Sequence, residues 1–527
     1  MKTKLLLLLL IFVIAKTDAQ QQIYSFNSLT PLRFIEYKDN IFFLSGNDDT
    51  GRELWKSDGT TGGTSLVKDI YPGKENGGQD LLKKRSAILN DKLFFIGKDE
   101  TSDGEIWKTD GTASGTIKVT NFLKGRVWTI TAVGNSIYFL LKTENILQVW
   151  KTDGSSEGTV LVKDNLPIWN EVTFEGKCNN TFIFTFQPYL SNNSRVWRSD
   201  GTADGTFAIT GEIDGNGSGP GGTSALSQYI ENGDKLYFVS RYSLFETDGT
   251  LNNTKAISSL WNAQATLVNY STVIKVDNNL YFLFFAADNY RIEIWRYNLE
   301  NKNTSVVYSG FGSKYFFPSN AVKSDNSLLF CGPNNTGGTS LLSMDLNNYS
   351  IAALQELSPA APRPFIFFED FNVATIYPIN NNDYFITSAV DEKYERKGWI
   401  FNKDKHTAEN ISALNNVWDA IVYKNNLYYG KDNVFWKYAN NLSTVSIDKQ
   451  PLLSVYPNPS SDFVNINTNN DYTIESAQVF DLNGKLVSNI SDYKNNKVDI
   501  SRLPNGIYNM QIKVNGSYSV NKKIIKK

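Results

Sequence analysis

A chain of 527 residues, 41% hydrophobic and 20% charged, can bury one or two sizeable cores and is not a disordered polymer. Its 52 Lys and Arg against 54 Asp and Glu leave a net charge of −2, which excludes a polycation for nucleic acid or anionic lipid. The single histidine, His406, excludes a multi-histidine zinc site and nearly every His-dependent triad, while 11 Trp, 27 Tyr and 32 Phe against 3 Met point to a β-rich chain.

The first segment reads as an export leader. Lys2 and Lys4 precede an unbroken apolar run from Leu5 to Ala15, and small residues at Thr17 and Ala19 place cleavage after Ala19. Residues 1–19 are therefore predicted to be a signal peptide, too short to span a bilayer. The longest later apolar run, Leu280 to Ala287, is only strand-length, so no transmembrane helix is expected.

From Gln20 to Lys449 one unit repeats. Its clearest copies are Glu53-Leu54-Trp55-Lys56-Ser57-Asp58-Gly59-Thr60 and Glu105-Ile106-Trp107-Lys108-Thr109-Asp110-Gly111-Thr112, followed by Val149-Trp150-Lys151-Thr152-Asp153-Gly154. Val196-Trp197-Arg198-Ser199-Asp200-Gly201 and Leu244-Phe245-Glu246-Thr247-Asp248-Gly249 continue the series, with anchors 43 to 52 residues apart. An apolar strand led in by a polar turn precedes each anchor, as in Asn40-Ile41-Phe42-Phe43-Leu44 and Lys92-Leu93-Phe94-Phe95-Ile96. The same strand returns, with weaker anchors, at Asn279, Ser327, Asp383 and Asn426; Trp295, Leu341-Leu342, Trp399 and Trp436 stand in the anchor place.

Nine units of about four strands each, apolar on both faces, need cover on both sides, which radial stacking supplies. The prediction is a multi-bladed β-propeller over 20–449, of seven to nine blades, in one ring or split into two. Glu-Leu-Trp with Ser-Asp-Gly-Thr, followed by Gly63-Thr64-Ser65-Leu66-Val67-Lys68-Asp69-Ile70, resembles the ELWxxDGT repeat of secreted bacterial proteins. That resemblance is strong in the first four units, partial in the fifth and weak after Trp295.

Several groups are candidates for chemistry. Asp58, Asp110, Asp153, Asp200 and Asp248 recur once per unit, which fits a turn in which the carboxylate accepts backbone N–H groups and the next glycine takes positive φ. The functional alternative is a set of Ca²⁺ sites, to which the acidic loops at Asp48-Asp49 and Asp99 to Asp103 could add oxygen ligands, without the full spacing of a known calcium loop. No other cofactor is expected. The anchor tryptophans read as inter-blade core. Trp128, Trp169, Trp261 and Trp418 fall outside that position, and Trp169 and Trp261, placed in inter-strand loops, are the candidates for stacking on a ligand. Gly217 to Gly222 matches G-x-G-x-x-G only formally, because Pro220 and the missing helix argue for a loop. His406 reads as an exposed turn residue. Cys178 and Cys331 fall in non-adjacent units, beyond disulfide reach. Glu369-Asp370 is the most conspicuous acidic pair, but neighbours on a strand point to opposite faces, and no catalytic residue is assigned.

The last segment, 452–527, has another texture. It runs Val455-Tyr456-Pro457-Asn458-Pro459, then Asp481-Leu482-Asn483-Gly484-Lys485, then Leu503-Pro504-Asn505-Gly506-Ile507-Tyr508, and ends in a lysine-rich tail. Alternating strands around these turns predict a small Ig-like antiparallel β-sandwich. The order of blocks resembles the type A C-terminal sorting domain of the type IX secretion system of Gram-negative bacteria. The resemblance implies the general and type IX secretion machineries as partners, export across the outer membrane, removal of this domain, and either release or attachment to surface lipopolysaccharide.

Together these features point to a secreted or surface-displayed propeller that acts as a binding or interaction module for a glycan or protein, with no nucleic-acid partner. A polysaccharide-acting hydrolase or lyase on the same scaffold is the alternative, and it would need two acids brought together near the axial mouth.

Overall fold

The structure, a computed structural model, describes residues 20–438 and 454–527 except 82–84, 145, 189–194, 211–228, 241–242, 260–271, 287–290, 312–319, 335–337, 359–373, 389–394, 468–473, 482–484, 491–496 and 515–517. The leader at 1–19, the glycine-rich stretch 217–222, Trp261, Glu369-Asp370 and Gly484 lie outside the described residues. The chain divides into two compact units, Met1–Ala439 and Asn440–Lys527.

In the first unit each repeat folds as an antiparallel sheet. Blade 1 pairs Leu29–Tyr37, Asn40–Asn47, Gly51–Ser57 and Ser65–Lys68 in that order. Its second strand is buried on both faces from Ile41 to Gly46, as a strand between two neighbouring sheets must be. Phe43 stands opposite Trp55, and the same pairing recurs as Phe95 with Trp107, Phe139 with Trp150, Phe184 with Trp197, Phe238 with Phe245, Phe282 with Trp295, Phe330 with Leu342 and Tyr429 with Trp436. Each early anchor packs into the core shared with the preceding blade: Trp107 lies with Leu44 and Leu54, and Trp150 with Ile96 and Ile106. Blade 8 keeps the register although its second strand is less aromatic: Ile386 stands opposite Trp399, three residues after the lead-in Asp383, as Phe282 stands opposite Trp295 three residues after Asn279. Trp399 accordingly packs on the core shared with blade 7, the preceding blade.

Nine blades are present among the described residues, and they form one closed ring. Blades 3 and 4 share the long strand Val160–Cys178, which leaves one sheet and enters the next. Blade 9 has only three strands of its own, Ala420–Tyr423, Asn426–Lys431 and Val434–Tyr438. Its fourth is Gln20–Ser25 from the start of the described chain, paired antiparallel with Val434–Tyr438. Ile23, Phe26, Ile41, Phe43, Tyr423, Tyr428 and Phe435 make a single core across this junction. The strand that closes the ring thus starts one residue after the expected leader cleavage site.

The first strand of each blade faces the axis and the fourth forms the outer rim. Exposed apolar residues sit on fourth strands, at Leu66, Ile117, Val160, Leu161, Phe207 and Val306. First strands, by contrast, are tied to one another: Asn320, on the approach to the first strand of blade 7, donates to the Ile376 carbonyl and accepts from the Ile376 N–H in that of blade 8. Cys178 and Cys331 are buried in separate cores and are not joined.

The second unit is a β-sandwich. A three-stranded sheet of Ser454–Tyr456, Phe463–Asn467 and Lys497–Asp499 faces a four-stranded one of Leu486–Ile490, Ile474–Phe480, Gly506–Val514 and Tyr518–Lys526. Val464, Ile466, Val479, Val498, Met510, Ile512 and Ile524 fill the space between them. Tyr508 donates to the Pro504 carbonyl, and the Lys485 N–H donates to Asp481, so the two turn motifs are closed by their own side chains. Asn458 accepts from the Ile525 N–H and donates to the Lys523 carbonyl, which ties the Tyr456-Pro457-Asn458-Pro459 segment to the last strand.

Candidate functional site

Alternation of strand direction gives the ring two unlike faces. On one, first and second strands are joined by tight turns whose leading residue has positive φ, at Lys38, Asn90, Gly134, Asn179, Gly233, Asp277, Asp325 and Lys424. The Asp-Gly turns between third and fourth strands lie on this same face. Among the described residues, the connections that carry the chain from the fourth strand of one blade to the first of the next, such as 69–77 and 119–125, lie on the other face. Loops of that length on a rigid scaffold are where a ring of this kind can vary its binding surface.

The five repeated aspartates sit one to a blade on the tight face and are not brought together. Asp58 Oδ1 accepts from both the N–H and the hydroxyl of Thr60, at 2.9 and 2.7 Å, and Asp110, Asp153, Asp200 and Asp248 repeat the arrangement with Thr112, Ser155, Thr202 and Thr250. The next glycine takes a φ of 92° at Gly59 and 95° at Gly111, where a β-carbon would strain the turn. The hydroxyl of Thr112 and its backbone N–H, with Lys92 beside them, hold the Asp110 carboxyl well below the usual carboxylate range. Among the described residues no three His, Cys, Asp or Glu are grouped as metal ligands would be. Asp99 in the adjacent acidic loop is paired with Lys118 at 2.8 Å. Replacing Asp110 with alanine is expected to lower stability by about 1 to 2 kcal/mol through the lost turn bonds. Urea unfolding with and without added Ca²⁺ checks this, and a loss that grows only when Ca²⁺ is present would favour the metal reading.

The lysine after each early anchor has a role that sequence reading missed. Lys56 Nζ donates to the Gly111 carbonyl at 2.8 Å, Lys108 to that of Gly154 at 2.7 Å and Lys151 to that of Gly201 at 2.9 Å. Each cation therefore ties its blade to the Asp-Gly turn of the next. The signal available was the Trp-Lys or Trp-Arg pair of the first four units; the partner of each lysine lies a whole unit away. In blade 4 the place is taken by Arg198, which turns instead to Asp200 of its own turn.

The glutamate before the anchor is buried. Glu53 accepts from the N–H groups of Ile70 and Gly77, both at 2.7 Å, and so fixes the connection leading into blade 2. Burial pushes its carboxyl up to about 7 against these two bonds, and burial raises Glu105 in the same direction although Thr120 and the Phe122 N–H donate to it. A raised carboxyl keeps its proton in the folded state after the unfolded chain has lost it. The contribution of Glu53 to stability is thus fullest below the unfolded value of 4.5 and is lost as pH rises through about 7. Glu53→Gln should flatten part of this decline, as measured by urea midpoints at about pH 5 and about pH 8.

Of the aromatic candidates, Trp169 lies on the strand Val160–Cys178 with its side chain outside the described residues, as is Trp261 altogether. Trp128 and Trp418 are described, and both belong to the inner rim on the face of the blade-to-blade connections. They occupy one place in the repeat, each five residues ahead of the last residue of a first strand. The Arg396 guanidinium lies 5.0 Å from the Trp418 ring centre, and the neighbouring Asp419 accepts from the Arg33 N–H at 2.5 Å. Arg126 lies 4.4 Å from the Trp128 ring centre, with Arg85 and Lys142 at 5.0 Å.

Residues 454–527 match the family described as secretion system C-terminal sorting domain. No curated protein matches the chain. Among solved structures, similarity extends to a prolyl endopeptidase at 7% identity, covering 82% of this chain and 54% of that one with a TM-score of 0.37. The extracellular domain of a hybrid two-component system of B. thetaiotaomicron is 11% identical, with 95% and 75% covered and a TM-score of 0.32. An oligogalacturonate lyase in complex with manganese is 10% identical, with 62% and 87% covered and a TM-score of 0.34. These superpositions are loose, and the nine-bladed ring rests on the strand pairing of the chain itself.

Proposed function

We propose that this chain, a propeller exported to the cell surface or beyond by the type IX machinery its C-terminal domain addresses, is a binding module for a glycan or protein ligand. One observation carries the reading, the inequality of the two faces. The tight face spends its polar groups on its own turns and inter-blade ties. The other face, where the blade-to-blade connections run, has an inner rim on which two tryptophans at equivalent places are each stacked by arginine. Aromatic rings beside cations on a rigid ring are suited to holding a ligand, and nothing in that pattern calls for bond cleavage. After export the sorting domain is removed, and the propeller is released or held on lipopolysaccharide.

The test is a thermal-unfolding screen of the full chain against soluble polysaccharides, with product analysis of each mixture. A ligand at 100 times its dissociation constant adds about 2.7 kcal/mol, a readily measured shift. A shift with the glycan intact supports the binding reading. Shortened products would replace it with a hydrolase or lyase, and a screen without any shift would remove the glycan ligand.

A further inference from the structure

The first strands of blades 2 and 3 both break their ladders at one level. In blade 2, Gly78–Asp80 and Ser86–Leu89 pair with successive parts of the same second strand, so the ladder is interrupted between them. The Ser86 hydroxyl donates to the Leu81 carbonyl across this interruption, and Arg85 stands directly before Ser86. In blade 3, Val127 pairs with Leu141 and Thr129 with Leu140, so Trp128 is an extra residue in a β-bulge. Bulges re-aim side chains, and this one leaves Trp128 half-buried between two buried neighbours, Val127 and Thr129. Arg85 and Trp128 thereby meet across the blade boundary.

Charge makes the place unusual. Arg126 and Lys142 are direct cross-strand partners, and like charges opposite each other on a ladder are destabilising. Among the described residues no carboxylate pairs with either, and the Trp128 ring between them carries three cations within 5.0 Å of its centre. Exposed Lys124 stands two residues upstream of Arg126. A ring whose faces are covered by cations has no face left for a neutral sugar. It holds the cations in place, and an oxyanion set among them would relieve their repulsion.

We infer that the inner rim between blades 2 and 3, formed by Arg85, Arg126, Lys142 and the bulged Trp128, is a subsite for a carboxylate or sulfate group carried by an acidic polysaccharide. This deepens the binding reading and rests on it. Charges confined to one blade boundary, on a chain of net charge −2, do not match the phosphate spacing of a duplex, whereas one acidic sugar residue fits a cluster of this extent.

The test is calorimetric titration of the full chain with a polyuronate, with dextran as the neutral polymer, inorganic sulfate as the free oxyanion and duplex DNA as the other polyanion. The polyuronate is expected to bind, more weakly as salt rises, and Lys142→Glu is expected to weaken it at least tenfold. The same variant turns the repelling Arg126 pair into an attracting one, so its thermal midpoint without ligand should hold or rise; a folding defect is thereby told apart from a binding defect. Arg126→Gln is the second variant and should weaken binding in the same direction. Equal binding by the variants, sulfate binding as tightly as the polymer, or DNA binding more tightly would each overturn the assignment. Binding of dextran alone would overturn it while leaving the binding module in place, and binding of no glycan would remove both.

Discussion

Phe26→Ala is expected to lower the stability of the ring by about 3 to 5 kcal/mol, the range for truncating a buried phenylalanine in a core that cannot collapse. Phe26 is 5% exposed and sits where Gln20–Ser25 completes blade 9. Its ring meets Trp55 edge-on at 4.9 Å and Phe43 at 6.0 Å, both in blade 1, and its N–H donates to the Asn433 carbonyl in blade 9. Truncation therefore loosens the one junction at which the two ends of the ring meet, in addition to leaving a cavity. Urea unfolding checks the loss. Hydrogen exchange should rise first in Val434–Tyr438 and Asn40–Asn47, the strands on either side of the clasp. Leu66→Ala, on the exposed outer edge at 40% exposure, is the control and should change stability by no more than about 0.5 kcal/mol. Equal losses at the two positions would mean that the clasp does not govern the ring.

Removal of residues 454–527 should stop export and leave the chain in the periplasm with its propeller folded. The sandwich has a core of its own, and the matched sorting family spans this unit alone. Its loss takes away the export address, while the closing strand and the nine blades all lie ahead of it. The measurements are the fraction of chain reaching the surface or medium, and the thermal midpoint of the retained protein. Export of the truncated chain at the normal level would overturn the assignment of the address. Tyr508→Ala is a milder version: it deletes the hydroxyl that closes the Pro504 turn and a ring buried in the sandwich core, and should reduce export in proportion to the loss of folded domain.

Much of the ring was legible because its information is local and periodic. Alternating aromatic strands, anchors at a blade-sized interval and Asp-Gly turns are each written within a few residues, and repetition multiplies the signal. The turn role of the aspartates was readable for the same reason, since the acceptor and its donors lie two residues apart. Even where the repeat erodes, the lead-in residue of the second strand marks the register: Trp399 faces Ile386, three residues after Asp383, as Trp295 faces Phe282, three residues after Asn279.

The candidate site was far less legible. Trp128 and Trp418 were visible as tryptophans outside the anchor, but no local pattern distinguishes a bulged residue on an inner strand from one in a loop. Lys142 is separated from Arg126 by a hairpin, and Arg85 belongs to another blade. The three become one cluster only through the ladder of blade 3 and its interrupted neighbour in blade 2. The net charge of the whole chain conceals such a cluster, since a balance of 52 against 54 says nothing about where the cations gather.

By itself, then, the sequence determined the strand content, the repeated blade, the turn chemistry and the export address, all of which depend on neighbours close along the chain. The tertiary structure alone decided that the ring is single and has nine blades, that its last blade borrows a strand from the other end of the chain, that lysines tie each early blade to the next, and that the inner rim gathers cations around Trp128. Those features join residues tens to hundreds of positions apart, and the energies that select them, closure of the ring and relief or retention of charge repulsion, exist only once the blades have packed.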